Sequence, residues 1–505
     1  MPPGRSRWLV ALRTVLVLAA ALAMFAIFSD IGGTTEPWTI VTVNSNAPGQ
    51  AVPGGFLGLS LEYQALEAYA GDDPDAVDPL FVKLVRSLAP AQSPVIRIGG
   101  DSTDQTWWPV PGLARPPGIR YTLTPQWIGV AKALAAAADA KLVLGVNLEA
   151  GDQRLASIEA QALVGGIRPP LIAALELGNE PELYASAPWY RAADGTLVHG
   201  RPPTYQPATF DSEFARFGSA LPGTLPLAGP AIGGRVWLQQ VPTFIASEPR
   251  LSLVTIHRYP LERCGLPASS PLGPSIANLL ARSSSQGLAA GVAGYVAAAH
   301  ARGLPLRVDE LNSVACGGQP GVSDTFASAL WVLDTLFRLL RVGVDGVNIH
   351  TFPNADYQPF ALAQTGNGWR AFAEPEYYGL LLFARATPVG STLLRVSERA
   401  AAAVGSYATR SRDGRLRVVL INTATSGSRM VQVRAAGAAG KATLQRLRAP
   451  NLAATSRVTL AGQSLGQSSG QLIGRQRTQS VKRTSGGYAV SMPAASAALL
   501  TLPRP

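Results

Sequence analysis

The sequence predicts an α/β fold, a (β/α)8 TIM barrel, followed by a C-terminal antiparallel β-sandwich domain. Three observations carry this expectation. Eight short apolar runs lie between residues 56 and 352 and alternate with Ala/Leu-rich amphipathic stretches. Each run turns polar at its C-terminal end, the end that faces the functional side of such a barrel. From about residue 390 the pattern changes to short alternating or apolar runs separated by Gly, Ser and Asn. The chain has 505 residues, 47% of them hydrophobic and 15% charged. That composition builds a core and is long enough for one barrel plus an accessory module.

The elements follow in order. Arg5, Arg7 and Arg13 precede or interrupt an apolar run whose centre, Val15 to Phe28, is wholly apolar. Residues 1–32 therefore read as a signal peptide or a membrane anchor, which puts the bulk of the chain outside the cytoplasm: extracellular, or held on the outer face of the membrane. Residues 33–48 contain a strand, WTIVTVN, that is expected to join the sandwich. Residues 49–390 form the barrel. Its strand candidates are FLGLSLEY (56–63), PVIRIGG (94–100), KLVLGVNLEA (141–150), LIAALELGNE (171–180), LPLAGPAIGG (225–234), LSLVTIHRY (251–259), LPLRVDELNS (304–313) and VDGVNIHTF (344–352). Between them DPLFVKLVRSLA, TPQWIGVAKALAAAADA, the stretch 275–303 and VSDTFASALWVLDTLFRLLRVG read as helices. Residues 391–505 form the sandwich, in which SLGQSSGQLIGRQRTQSVKRTSGG is expected to be a long polar loop or irregular hairpin.

The polar strand ends supply Glu62, Arg97, Asp101, Asn147, Glu149, Asn179, Glu180, His257, Tyr259, Glu310, Asn312 and His350. Two carboxylates on different strands, Glu180 and Glu310, stand out among Arg, Asn, His and Tyr. Glycoside hydrolysis needs such a pair, one to protonate the leaving oxygen and one to attack the anomeric carbon.

LELGNEP resembles the fourth-strand Asn-Glu of the large clan of retaining (β/α)8-barrel glycosidases, and VDELNS resembles its seventh-strand nucleophile. RIGGDSTD resembles a second-strand signature of glycoside hydrolase family 79, the family of β-glucuronidases and heparanase. RIGG, LGNEP, HRY and DELNS, in this order and each ending a strand, carry the resemblance over residues 50–390. It implies a retaining β-glycosidase that releases glucuronic acid from glycans or glycoconjugates. Glu180 would be the acid/base and Glu310 the nucleophile. Asn179 would hold the sugar 2-hydroxyl, and Arg97 would keep Glu310 ionised. Tyr259 would bond Glu310, His257 would support that wall, and His350 would line the sugar subsite. Asp101 and Asn147 stand at neighbouring strand ends as substrate-binding or supporting residues. Glu62 and Glu149 suit hydrogen bonding behind the site as well as substrate contact.

A uronic acid carries a carboxylate that must meet donors. Gly317 matches a family glycine whose backbone N–H faces that carboxylate, and Tyr357 matches an eighth-loop Tyr. Ala315 stands where the family leads one to expect another Tyr. That departure keeps open a neutral-sugar β-glycosidase acting on a glucoside, galactoside or xyloside. A non-catalytic, envelope-anchored glycan-binding barrel is the reading from another class. Cys264 and Cys316 leave from adjacent strands six and seven, and an exported protein permits oxidation, so a disulfide between them is expected.

The sequence contains no HExxH, GxGxxG or P-loop, and four His without a CxxC supply no metal site. No metal and no cofactor are expected. The net charge of +11 suggests nucleic acid until it is located. Residues 401–505 hold 15 Lys/Arg and one acid, Asp413, whereas residues 1–400 carry 28 basic and 31 acidic residues. The excess sits in the sandwich, where arginines alternate with apolar residues and no aromatic stacking series accompanies them. Nucleic acid is not the expected partner. A carbohydrate is, an acidic glycan among the candidates, and the oligomeric state is open. The basic sandwich suits attraction to acidic polysaccharide or an anionic envelope surface, and equally a solvated face.

Overall fold

The structure is a computed structural model that describes residues 38–504 apart from 46, 48, 268 and 400–403. The segment read as a signal peptide or anchor lies outside the described residues. Among the described residues no helix is long and apolar enough to cross a membrane.

All eight expected runs are strands of one closed parallel barrel: Leu57–Glu62, Val95–Gly99, Lys141–Val146, Ile172–Leu177, Leu227–Ile232, Leu251–Arg258, Leu306–Leu311 and Gly346–Thr351. They pair in sequence order, and the eighth closes on the first through Val347 opposite Leu57 and His350 opposite Ser60. The strands are buried almost throughout, which is why they read as apolar runs rather than alternating ones. The register shifts between Ile256 and His257 and again between Val308 and Leu311. Such irregularities re-aim side chains, and here they fall at polar strand ends singled out above.

Helix starts follow ordinary capping chemistry. The Asp78 carboxylate accepts from the Leu80 N–H ahead of Pro79–Leu88, and Thr124 accepts from Trp127 N–H ahead of Pro125–Ala138. The stretch 275–303 differs from expectation. It breaks into Ile276–Leu279, a π-turn over Ser283–Gly287, and the helix Leu288–Ala301. The serines are the cause. Ser284 Oγ donates to the Asn278 carbonyl, and the Ser284 carbonyl accepts from Trp331 Nε1, so hydroxyl and indole bonds replace part of the helical ladder.

The sandwich consists of a five-stranded sheet packed on a larger one. Thr39–Val43 lies inside the five-stranded sheet, antiparallel to Val396–Arg399 and parallel to Arg429–Ala435. One parallel pair therefore interrupts an otherwise antiparallel domain. The strand Gly487–Met492 extends this sheet against Arg429–Ala435. The polar stretch forms a short hairpin, Ser464–Leu465 with Leu472–Ile473, which docks on the barrel where Tyr378 Oη accepts from Leu465 N–H.

Barrel and sandwich share one interface built on two helices, Phe326–Arg341 and Pro375–Ala386. The Phe337 ring stacks on Tyr407 of the sandwich at 4.7 Å, and the Tyr407 hydroxyl donates to Asp334. The helices approach closely at Gly379, where a Cβ would collide with the Ala329 carbonyl oxygen. Gly379→Ala is therefore expected to destabilise the protein by about 1–3 kcal/mol through overpacking, measured as a lower denaturant midpoint with an unchanged slope.

Candidate active site

The site is organised around Arg97, which lies on the second strand and is wholly buried. Its Nη1 donates to Glu310 Oε2 at 2.7 Å, its Nε to Glu176 Oε2 at 2.6 Å, and its Nη2 to Asn179 Oδ1 at 2.8 Å. Asp309 Oδ2 lies 3.3 Å from Nε. Strand alternation would send Asp309 and Glu310 to opposite faces. The register shift between Val308 and Leu311 lets both reach the same guanidinium. One cation faces three carboxylates, so a proton is retained among them. Asp309 is pushed well up by burial and the Glu176 charge. Burial opposes ionisation of Glu176 as well, but Arg97 and the Asp309 hydrogen bond hold its carboxyl below the ordinary value.

Glu310 and Glu180 are tuned in opposite directions. Burial would raise Glu310, but His350, His257, Arg97 and a hydrogen bond from Tyr259 outweigh it and hold the carboxyl far below the usual range. Tyr259 Oη donates to Glu310 Oε1 at 2.8 Å. Glu180 is pushed up to about 8, first by burial and then by the neighbouring Glu310 charge. A Glu180 oxygen, a His257 nitrogen and a Glu310 oxygen all lie within 4.8 Å of one another. That is also a spacing a metal ion can use, but Glu310 already bonds a guanidinium and Glu180 favours its proton.

Glu180 sits at φ 45°, ψ 55°, a left-handed conformation unusual for a non-glycine residue, with Pro181 after it. Its amide N–H donates to the Ala231 carbonyl, and its Oε1 shares a 2.9 Å hydrogen bond with His257 Nδ1. Burial lowers His257, so the ring favours its neutral form. Room for the acid comes from glycine. A Cβ on Gly233 would stand 2.8 Å from Glu180 Oε1. The N–H groups of Gly233 and Gly234 both donate to Glu182, which burial pushes up to about 7.

The remaining wall is polar and aromatic. His350 lies 3.7 Å from Glu310 Oε2 and 3.4 Å from Glu62 Oε1, and these carboxylates raise it against its burial. Glu62 accepts from the Asp101 and Ser102 N–H groups, which holds the loop after the second strand. Asn179 Nδ2 donates to Asp101 Oδ1 at 3.3 Å, and burial beside Glu62 pushes Asp101 up to about 7. Tyr357 is buried, with its ring 6.2 Å from Tyr259 and 6.0 Å from His350. Gly317 stands beside Phe352 and Arg263, and its carbonyl accepts from Asp356 N–H. Cys264 and Cys316 are joined as expected, with a Cα–Cα distance of 6.2 Å, and this pins the loops after strands six and seven.

Arg97, Asp101, Asn179, Glu180, His257, Tyr259, Glu310, His350 and Tyr357 are thus connected in one constellation. Asn147 stands outside this set of bonds: its Nδ2 donates to the Thr106 carbonyl and its Oδ1 accepts from Ala150 N–H, so it holds the loop after the third strand. Glu149 flanks the cluster, pushed up to about 9 by burial and Asp104. Sequence reasoning missed Glu176, Asp309, Asp104 and Ser60, whose Oγ accepts from Arg97 Nη1 at 3.2 Å. Asp104 accepts from Asn179 N–H, Leu148 N–H and Tyr184 Oη and so fixes the backbone before Glu180. The only available signal was an acid inside an otherwise apolar strand, as at Glu176.

The comparisons with known proteins fit this arrangement. Residues 406–499 match the family described as the glycosyl hydrolase family 79 C-terminal beta domain. A β-glucuronidase of Neurospora crassa is 23% identical over 387 residues, an alignment covering 67% of this chain and 64% of that protein. The chain thus spans a little under two thirds of the curated relative's length. In fold it is similar to a 4-O-α-L-rhamnosyl-β-D-glucuronidase of Fusarium oxysporum 12S, with a TM-score of 0.72 at 21% identity over 92% of this chain and 100% of the other. It is also similar to a GH51 arabinofuranosidase of Xanthomonas axonopodis pv. citri, with a TM-score of 0.66 at 16% identity over 92% and 100%. The fold is a closed (β/α)8 barrel followed by a C-terminal β domain, shared with these glycosidases. The match to glycoside hydrolase family 79 is carried by residues 406–499, and the likeness to the solved structures is one of fold.

Arg97→Ala would strand buried carboxylates. The expected loss is about 3–5 kcal/mol of stability, the cost of removing one partner of a buried ion pair, read by chemical denaturation. Arg97→Lys keeps the charge but loses the fork. Any activity it retains is expected to show an acidic limb moved to higher pH, because Glu310 loses the Nη1 hydrogen bond that favours its ionised form.

Proposed function

We propose that this protein is a retaining β-glycoside hydrolase that releases glucuronic acid from glycans or glycoconjugates. The observation that carries the reading is the opposite tuning of two carboxylates that each bring an oxygen within 4.8 Å of the other. An inverting enzyme needs room for water between its acids, about 6.5–9.5 Å, whereas a retaining one needs about 5–5.5 Å. Glu310, held ionised by Arg97, Tyr259 and the histidines, attacks the anomeric carbon. Glu180, which keeps its proton to about pH 8, donates it to the leaving oxygen. Once deprotonated, Glu180 takes a proton from water as that water releases the sugar from Glu310.

The glucuronate preference is supported by the similarity to the Neurospora crassa β-glucuronidase and by the grouping of Tyr357 with Tyr259 and His350. Ala315 is the feature that favours a neutral sugar instead. The Cys264–Cys316 disulfide supports an oxidising location, in keeping with export or anchoring by residues 1–32.

A panel of aryl β-glycosides tests this reading. Turnover of the glucuronide is expected, with the β-anomer as the first product seen by proton NMR. Glu180→Gln should lower kcat by roughly 10²–10⁴-fold on substrates with poor leaving groups. Turnover of neutral sugars alone would overturn the glucuronate assignment, and an α-anomer first product would overturn the retaining one. The pH profile has a determined sign. Glu180 acts only while protonated, so kcat/KM should fall as pH rises through about 8. The alkaline limb should disappear in Glu180→Gln.

A further inference from the structure

The sandwich carries a second polar cavity that shares no residue with the barrel site. It encloses about 360 Å³ and is lined by Arg446, Arg448, Arg457 and Arg477, with Gln479, Thr459 and small apolar residues between them. No acid stands among the lining residues. Asp413 is the last acidic residue of the chain, and it is already paired with Arg415 and Arg417. The charge that bears on Arg446 is another cation, Arg448, which together with burial lowers its pKa.

The arginines come from three segments that the backbone ties together. Ala461 N–H donates to the Arg446 carbonyl, and Arg477 N–H donates to the Ala461 carbonyl. Arg446 Nε donates to Gln479 Oε1 at 3.2 Å. Gly462, at φ +76°, leaves room for the Arg477 stem, since a Cβ there would stand 2.9 Å from two of its carbons. Like charges repel, so gathering four guanidinium groups around one cavity costs stability unless an anion enters it. Guanidinium forks match the planar or tetrahedral oxygens of carboxylate and sulfate.

We propose that this cavity binds an oxyanion-bearing oligosaccharide, carboxylated or sulfated, as a second glycan site separate from the barrel. The volume falls in the range of small-molecule sites and exceeds what one ion needs. The amide, hydroxyl and small apolar lining suits a sugar ring. No aromatic lines the cavity, which argues against stacked nucleobases. No exposed large apolar side chain lines it either, which argues against insertion into a lipid surface.

Binding is measured by calorimetry on the full-length Glu310→Gln protein. The probes are short glucuronate oligosaccharides, sulfated dextran oligosaccharides, neutral dextran, inorganic phosphate and vesicles of anionic phospholipid. One or both acidic oligosaccharides should bind at the sandwich in addition to any occupancy of the barrel, and the two arms separate carboxylate from sulfate. The double variant Arg448→Ala/Arg477→Ala should weaken that sandwich event about tenfold or more, as expected for loss of charge-assisted contacts. Arg412→Ala/Arg504→Ala, the same loss of charge elsewhere on the sandwich, should leave it unchanged. Gly462→Ala, which displaces Arg477 without removing charge, should also weaken it. In a Glu310-intact background, turnover of a small aryl glucuronide should be the same in the Arg448/Arg477 variant and the parent. That control separates failure of this site from failure of the glycosidase reading. Equal weakening by the two double variants, absence of a second event, or binding of vesicles or free phosphate in preference to both sugars would overturn the proposal.

Discussion

Arg97 is the residue on which the site depends. A guanidinium without solvent contact is very costly unless its donors find acceptors. Here the second strand supplies the cation, the fourth supplies Glu176, the following turn supplies Asn179, and the seventh supplies Asp309 and Glu310. The same pairing that makes burial tolerable ties three strands of the barrel together at their C-terminal ends. It also makes the site electrically asymmetric. Glu310 shares the cation and is held ionised, while Glu180 bonds a neutral imidazole and faces the Glu310 charge, so it holds its proton. Two chemically identical side chains acquire opposite protonation preferences from their surroundings alone.

Much of this arrangement is legible in the amino-acid sequence. Eight apolar runs are eight barrel strands because parallel strands covered on both sides carry no polar alternation. Arg97, Glu180, His257, Tyr259, Glu310 and His350 stand out because strand ends are where an apolar run stops. Glu176 and Asp309 do not. Glu176 lies inside its run, and alternation places Asp309 on the opposite face from Glu310. Only the register shift after Val308, which no residue pattern announces, brings it to Arg97. Asn147 ends a run as the others do, but its amide bonds the Thr106 carbonyl and Ala150 N–H in the adjoining loops. The broken helix at 275–303 shows serines overriding a favourable apolar pattern through hydroxyl bonds to the backbone.

Chain charge is a property of parts. The barrel region is slightly acidic and builds its positive charge locally, from Arg97 and from His350, which Glu310 and Glu62 raise. The sandwich holds almost all the excess base and gathers part of it around one cavity. The two parts are joined through the Phe326–Arg341 helix, where Phe337 stacks on Tyr407 and Asp334 accepts the tyrosine hydroxyl. A slightly acidic barrel and a basic sandwich thus share one packed interface.

The most direct test of the central claim is to capture the covalent intermediate that the proposed mechanism requires. A 2-deoxy-2-fluoro-β-glucuronide with a good leaving group slows release of the sugar from the nucleophile more than its attack. Mass spectrometry of the incubated protein should show one added fluoroglucuronyl group, and peptide mapping should locate it on Glu310 in VDELNS. A label on Glu180 would contradict the assignment of roles. Turnover of the reagent with no covalent adduct and an inverted product would contradict the mechanism itself.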